Sequence, residues 1–355
     1  MQATHESSGA TSARVDQSDG RARPDQSDGG ARPDGSGGGA RPDGSGGVAR
    51  PGKRDGVGVD DRVAGAPISW GACEVPGWGV MPSPETVLSE MAELGLRGTE
   101  LGPPGFLPED PGQLAALLAR HGLVLLGGFV PLVLHEPRAD QAIEEARRAA
   151  QLMSEAGAGM LVIAAVQDMQ WSAPRELDDE GWQRIGEHCG EVESVASEYG
   201  MGVALHPHAG TLIETAEQVE RALEVVDVGW CLDTGHLLIG GFDPVQFAQE
   251  NGERVAHVHL KDVDAKLAAE VRAGERSLLD ATRNGLFRAL GQGDARIAEV
   301  MDALQVHGYD GWLVLEQDTA ITGDEPTVAG GPMRDARQSI AFLHHTARMT
   351  EEINR

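Results

Sequence analysis

The chain has 355 residues and a formal charge of −27, from 56 acidic and 29 basic side chains. So acidic a surface repels phosphate backbones and anionic headgroups, which argues against nucleic acid or a membrane as partner. Cys73, Cys189 and Cys231 form no CxxC pair, the start lacks an apolar leader and no run of 18 apolar residues occurs. A disulfide framework, secretion and membrane insertion are therefore not expected, and a reducing cytoplasm is.

Residues 22–51 repeat a nine-residue unit that begins Ala-Arg-Pro-Asp, with starts at Ala22, Ala31 and Ala40 and a truncated copy at Ala49. Glycine, proline and small polar residues dominate it. No apolar face is present to offset the entropy of ordering, so residues 1–65 are expected to be a disordered tail. That tail carries ten acidic and nine basic side chains, so nearly all the net charge belongs to residues 66–355.

From residue 66 onward, short runs rich in Val, Leu and Ile alternate with segments of helical period, as in parallel strands joined by helical crossovers. Strands are expected at 67–70, 98–101, 123–129, 160–166, 203–206, 229–233, 255–260 and 312–316. Between them, Ser83 and Pro84 start a helix that Gly95 closes. From 180 to 199, Trp182, Ile185, Cys189, Val192, Ala196 and Tyr199 step by three and four before Gly200 ends the run. Thr215 and Gln218 make a capping box ahead of Val219, Ala222, Leu223 and Val226 on one face.

Eight such units over residues 66–348 give an α/β chain with one (β/α)8 barrel. An open doubly wound sheet is the alternative, but no GxGxxG follows the first strand. The long gap before the last strand holds a helical insertion, residues 264–291, on the face where such barrels carry function.

Each of the four final strands ends in a residue able to bind a metal: His206, Asp233, His259 and Glu316. The C-terminal strand ends of a parallel barrel ring one mouth, so these four would meet there. Two imidazoles and two carboxylates suit Mn²⁺, Co²⁺, Fe²⁺ or Zn²⁺ better than Mg²⁺ or Ca²⁺. Asp233 has a second reading as the cap of the next helix. His257 shares a face with His259 and, sitting deeper, is read as a structural histidine. Lys261 points into the same mouth two residues on, either as a titratable ammonium or as a surface partner of Asp262. Glu100, ending the second strand, reads either as a base or substrate contact or as a helix cap.

The segments ALHPHAGTLIET, CLDTGHLLIGGFDP, RVAHVHLKDV, RSLLDATRNGLF and GYDGWLVLEQD resemble the inosose dehydratase branch of the xylose-isomerase-like TIM barrels, a superfamily also described as sugar phosphate isomerases and epimerases. The resemblance spans residues 67–318. It implies a divalent cofactor, manganese or cobalt first, with zinc, iron or magnesium as others. It implies a small polyol, cyclitol or sugar as the partner and leaves a homo-oligomer open. Ketose epimerases of the superfamily use a Glu at the fifth-strand position that His206 fills here, so one of their two proton-passing carboxylates is missing. The resemblance therefore favours a lyase that dehydrates a keto-cyclitol, with a sugar or cyclitol isomerase or epimerase as the alternative and a non-catalytic metal-poised binding protein as a third reading. Glu316, Lys261 and His236 are the expected proton-handling residues. Glu100, His208, His236 and Trp70, with Glu74, are expected to contact substrate, although core packing is the better reading for Trp70.

Overall fold

The computed structural model describes residues 61–323 and 331–353. Residues 1–60, and with them the nine-residue repeats, lie outside the described residues. The strands are β1 (Val63–Gly65), β2 (Gly98–Thr99), β3 (Val124–Leu125), β4 (Gly127–Leu132), β5 (Met160–Ala165), β6 (Gly202–Leu205), β7 (Gly229–Asp233), β8 (Val255–Leu260), β9 (Asp262–Val263), β10 (Phe287–Arg288) and β11 (Leu313–Leu315).

Nine of them form one sheet in the order β3-β2-β1-β11-β8-β7-β6-β5-β4, with every neighbouring pair parallel. β3 and β4 are consecutive pieces of one strand, interrupted at Leu126. The Leu126 N–H donates to Thr99 O at 3.0 Å, and the Met160 N–H donates to Leu126 O at 3.1 Å. One strand is thus shared by both ends of the sheet, which closes it into an eight-staved barrel.

The segment expected as the first strand is instead a 3-10 turn, Pro67–Trp70. Proline at its start cannot donate to a ladder and fits the first position of a helical turn. The true first strand lies just before it, with Val63 opposite Leu313 on β11 and Ala64 opposite Gly98 on β2. Its residues, Val-Ala-Gly, are too small to carry much strand propensity, which is why the sequence hides it.

Outside the sheet run α1 (Pro84–Glu93), α2 (Pro111–Arg120), α3 (Asp140–Glu155), α4 (Asp179–Glu198), α5 (Ala216–Val225), α6 (Thr234–Gly240), α7 (Pro244–Asn251), α8 (Ala265–Arg272), α9 (Leu278–Arg283), α10 (Ile297–Val306) and α11 (Pro332–Ile353). Side chains of Ser83, Asp110, Asp178 and Thr215 each accept an N–H from the first turn of the helix they precede, Thr215 within the expected capping box. Each such cap contributes about 1 kcal/mol. No helix among the described residues is long and apolar enough to cross a membrane.

Period-two alternation divides each strand between two environments. Leu161, Ile163, Leu205, Leu232 and Val258 pack outward against the helices, while Met160, Val162, Ala204 and Cys231 pack together with Phe129. The latter face also carries the polar residues of the mouth. The expected insertion holds α8, α9 and β10, and β10 pairs antiparallel with β9. Asp262 fastens it: its Oδ2 accepts from Gly291 N (2.8 Å) and Gly293 N (3.0 Å), and its Oδ1 accepts from Ala295 N (3.0 Å). Asp262 is fully buried in this role and is not the surface partner of Lys261.

Candidate metal centre and active site

His206 follows β6, and its N–H extends the ladder to Ile163 O at 2.7 Å. Asp233 closes β7 and caps α6, its Oδ1 accepting the His236 N–H at 2.7 Å. Its two readings therefore coexist, because Oδ2 is left over. His259 stands on β8, and Glu316 directly follows β11.

One ligating atom from each of these four residues lies within 4.8 Å of all the others. His206 Nε2 is 3.1 Å from His259 Nδ1 and 3.4 Å from Asp233 Oδ2. His259 Nδ1 is 2.6 Å from Glu316 Oε2 and 3.5 Å from Asp233 Oδ2. Asp233 Oδ2 and Glu316 Oε2 are buried and receive no hydrogen bond. Two buried acceptors without donors are costly, and a cation at their focus would remove the cost. An N₂O₂ donor set fits a borderline divalent ion.

The other edge of His259 is occupied. Its Nε2 lies 2.9 Å from Glu100 Oε1, which also lies 2.8 Å from His257 Nε2. Glu100 does border the cavity, but this oxygen is committed to orienting two histidines and not to substrate. His257, read from sequence as structural, is part of this relay.

Lys261 is almost wholly buried, and its Nζ lies 2.9 Å from Asp318 Oδ1, 3.5 Å from Glu316 Oε1 and 3.6 Å from Asp233 Oδ2. Asp318 is a site residue that sequence reasoning missed, although it stands two residues beyond Glu316, the spacing that links Lys261 to His259. His236 lies behind Lys261, with Nε2 3.0 Å from Nζ and its ring centroid 3.9 Å from that of His208. It does not line the cavity, so the expected direct substrate contact by His236 is not what the structure has. Gly235 makes this packing possible, since a Cβ there would sit 2.5 Å from Lys261 Cβ.

Above these groups opens a cavity of about 400 Å³, bordered by His206, His208, His259, Lys261, Glu316 and Asp318 at its floor and by Glu74 among its walls. Such a volume suits a small ligand. Leu278 and Leu279 of the insertion also line it. Trp70 does not: it is buried in the core, and its indole N–H donates to Glu90 Oε2 at 2.8 Å. The packing reading of Trp70 is therefore the one the structure has, beneath α1, and the alternative substrate contact is not made. Three aromatic rings that do border the cavity, Trp78, Phe129 and Trp171, carry no signal in the sequence.

Burial opposes every charge here, and the neighbours decide the outcome. Burial would raise the Asp233 carboxyl, but Lys261 and His236 hold it well below the usual carboxylate range. Burial is likewise overcome at Glu316 by His259 and Lys261, which keep it low. At Asp318 burial prevails over Lys261, and the carboxyl is raised. Burial disfavours the Lys261 ammonium, yet Asp318, Glu316 and Asp233 hold its proton more tightly than usual. Burial, with His206 and Lys261 nearby, pushes His208 down to about 3.

This arrangement of a (β/α)8 barrel with chemistry at its strand ends agrees with a family match. The model of the xylose isomerase-like TIM barrel matches residues 88–345. The chain belongs to that family. Among its relatives, the inosose dehydratase of Geobacillus kaustophilus (strain HTA426) is 32% identical over 275 residues, covering 73% of this chain and 89% of that protein. Among solved structures, an L-ribulose 3-epimerase superposes with a TM-score of 0.58 at 20% identity, over 82% of this chain and 97% of that one. The IOLI protein with a bound zinc atom superposes with a TM-score of 0.60 at 15% identity, over 81% and 98%. This family member is an enzyme, of the hydro-lyase or isomerase/epimerase type.

Proposed function

We propose that the enzyme is a metal-dependent lyase that removes water from a keto-cyclitol of the inosose type. The observation that carries the reading is the focus of His206, His259 and the two donorless carboxylate oxygens of Asp233 and Glu316 on the floor of a ligand-sized cavity. The inosose dehydratase relative supplies the substrate class. A divalent cation held by these four residues, manganese or cobalt by preference, would act as a Lewis acid on the ketone and so acidify the adjacent C–H.

Glu316, kept ionised by His259 and Lys261, accepts that proton. The electron pair of the broken C–H bond forms the carbon–carbon double bond as the β C–O bond breaks. The Lys261 ammonium gives its proton to the departing hydroxyl, which leaves as water. Glu316 Oε1, 3.5 Å from Lys261 Nζ, then returns the substrate's proton to the amine and resets both groups. His236 and Asp318 fix Nζ in place from behind and beside.

The test is metal analysis of the purified chain followed by addition of inosose with Mn²⁺ or Co²⁺. Absorbance of a conjugated enol product is expected. Incorporation of solvent deuterium without release of water would move the enzyme to the isomerase side of its class.

A further inference from the structure

We infer that the barrel interior holds a second cation position, formed by Cys231 with His206 and His259, which takes a soft, thiophilic ion of the cadmium kind and excludes the catalytic metal while it is filled. The inference goes beyond the lyase reading and does not depend on which substrate the enzyme takes. Its ground is register. On β7, Cys231 stands two residues before Asp233 and so faces the same interior. Leu205 pairs with Trp230, and the next residues along those two strands are His206 and Cys231. Across β7 and β8, Cys231 is level with His257, and Asp233 with His259. The thiol is thereby seated one layer below the Asp233 carboxylate. Its Sγ and one ring nitrogen from each of His206 and His259 lie within 4.8 Å of one another. All three side chains are buried, Cys231 completely.

His206 gives a second, independent sign. Its Nε2 faces His259 and Asp233, but its Nδ1 is buried and has no hydrogen-bond partner among the described residues. A ring nitrogen left bare in this way is costly unless something binds beside it. The two positions share both histidines, so they hold one ion at a time. The upper one offers two nitrogens and the carboxylates of Asp233 and Glu316, whereas the lower one offers two nitrogens and a sulfur and uses neither carboxylate. Thiolate selects soft cations, and carboxylate selects harder ones. An ion entering by the cavity meets His206 and His259 on its floor. A soft ion then trades the two carboxylates for sulfur, and the thiol proton is released to water as the metal–sulfur bond forms. With both histidines drawn to it, the upper focus is left without its nitrogens.

The experiment titrates the full chain with Cd²⁺, once metal-free and once loaded with Mn²⁺. Ultraviolet absorbance follows the thiolate-to-cadmium charge-transfer band, and electron paramagnetic resonance follows released Mn²⁺. A band that saturates at one ion per chain, with Mn²⁺ released in step, is expected. Cys231→Ala should lose the band and bind Cd²⁺ at least about 10-fold more weakly, the least that loss of even an outer partner of a ligand costs. Its circular dichroism and Mn²⁺ binding should match the parent's, and Cys231→Ser, which keeps the side-chain volume, should behave alike. Cys73→Ala and Cys189→Ala should keep the band. No band in the parent, a band that survives both Cys231 variants, or Cd²⁺ and Mn²⁺ held together overturns the inference. No substrate is added, so failure of the lyase reading changes none of these outcomes.

Discussion

Glu100 Oε1 lies 2.9 Å from His259 Nε2, at the opposite edge of the ring from the 2.6 Å contact between Nδ1 and Glu316. The carboxylate holds the imidazole proton on Nε2 and leaves the Nδ1 lone pair free to face the focus shared with Asp233 and His206. Replacing Glu100 by Gln should weaken divalent metal binding by roughly 10- to 100-fold, because such outer partners set ligand orientation and basicity. Titration against a chelator measures this, and unchanged affinity would deny Glu100 a positioning role.

Lys261 neutralises three carboxylates that no other lysine or arginine among the described residues approaches at such distances. Lys261→Met keeps the bulk and removes the charge and the proton donor. It should lower kcat by about 10²- to 10⁴-fold, the usual contribution of a positioned acid. It should also destabilise the metal-free fold by about 3–5 kcal/mol, since it leaves buried charge uncompensated. Steady-state kinetics and urea unfolding test the two effects separately, and near-normal turnover would exclude Lys261 as the donor.

Asp262 satisfies the backbone donors of Gly291, Gly293 and Ala295 with one carboxylate. Asp262→Ala leaves these N–H groups without their acceptor, at a cost of about 3 kcal/mol or more. Urea denaturation should show that loss, and limited proteolysis should cut between residues 289 and 295. A variant as stable and protease-resistant as the parent would show that the carboxylate does not secure the insertion.

Burial pushes His135, His208, His236 and His257 below the ordinary imidazole value, whereas at His259 burial is overcome by Cys231, Glu100, Glu316 and Asp233 and the value is raised. A lowered histidine stays neutral in the fold but protonates once unfolded. Its contribution is present above about pH 6.5 and is lost as pH falls toward its folded value. His259 acts oppositely, stabilising below about pH 6.5 and losing that contribution as pH rises. Four outweigh one, so the metal-free enzyme should lose stability between about pH 7 and 5, by about 1.4 kcal/mol per pH unit for each net proton taken up on unfolding. Denaturant unfolding at several pH values checks this, and a flat or rising profile contradicts it.

The barrel and its four strand-end residues are legible because period and position suffice for them: runs rich in Val, Leu and Ile mark most of the strands, and the last inward residue of a strand marks the mouth. Val63–Gly65 is not legible, since a strand of small residues looks like a loop. Asp318 is within reach of the same spacing rule, but a lone acidic residue past a strand end gives no reason to apply it. The Lys261–Asp318 pair and the Glu100 relay join residues far apart in sequence, a contact no local pattern encodes. Trp171 cannot be foreseen, because a positive φ on an aromatic residue leaves no mark in composition. For His236 the expectation errs by one layer, as sequence gives the side of a strand or turn but not the depth.

Gly235 allows no side chain while Lys261, directly after β8, keeps its Cβ 2.5 Å from where the glycine's would be. The Asp233-Thr-Gly-His236 turn is thereby a fixed point for anyone reshaping this enzyme. Positions 75 and 279 stand on a separate loop and helix around the opening and answer to no such constraint. A lineage, or a laboratory library, can exchange ring substituents there while inheriting the proton machinery below unchanged.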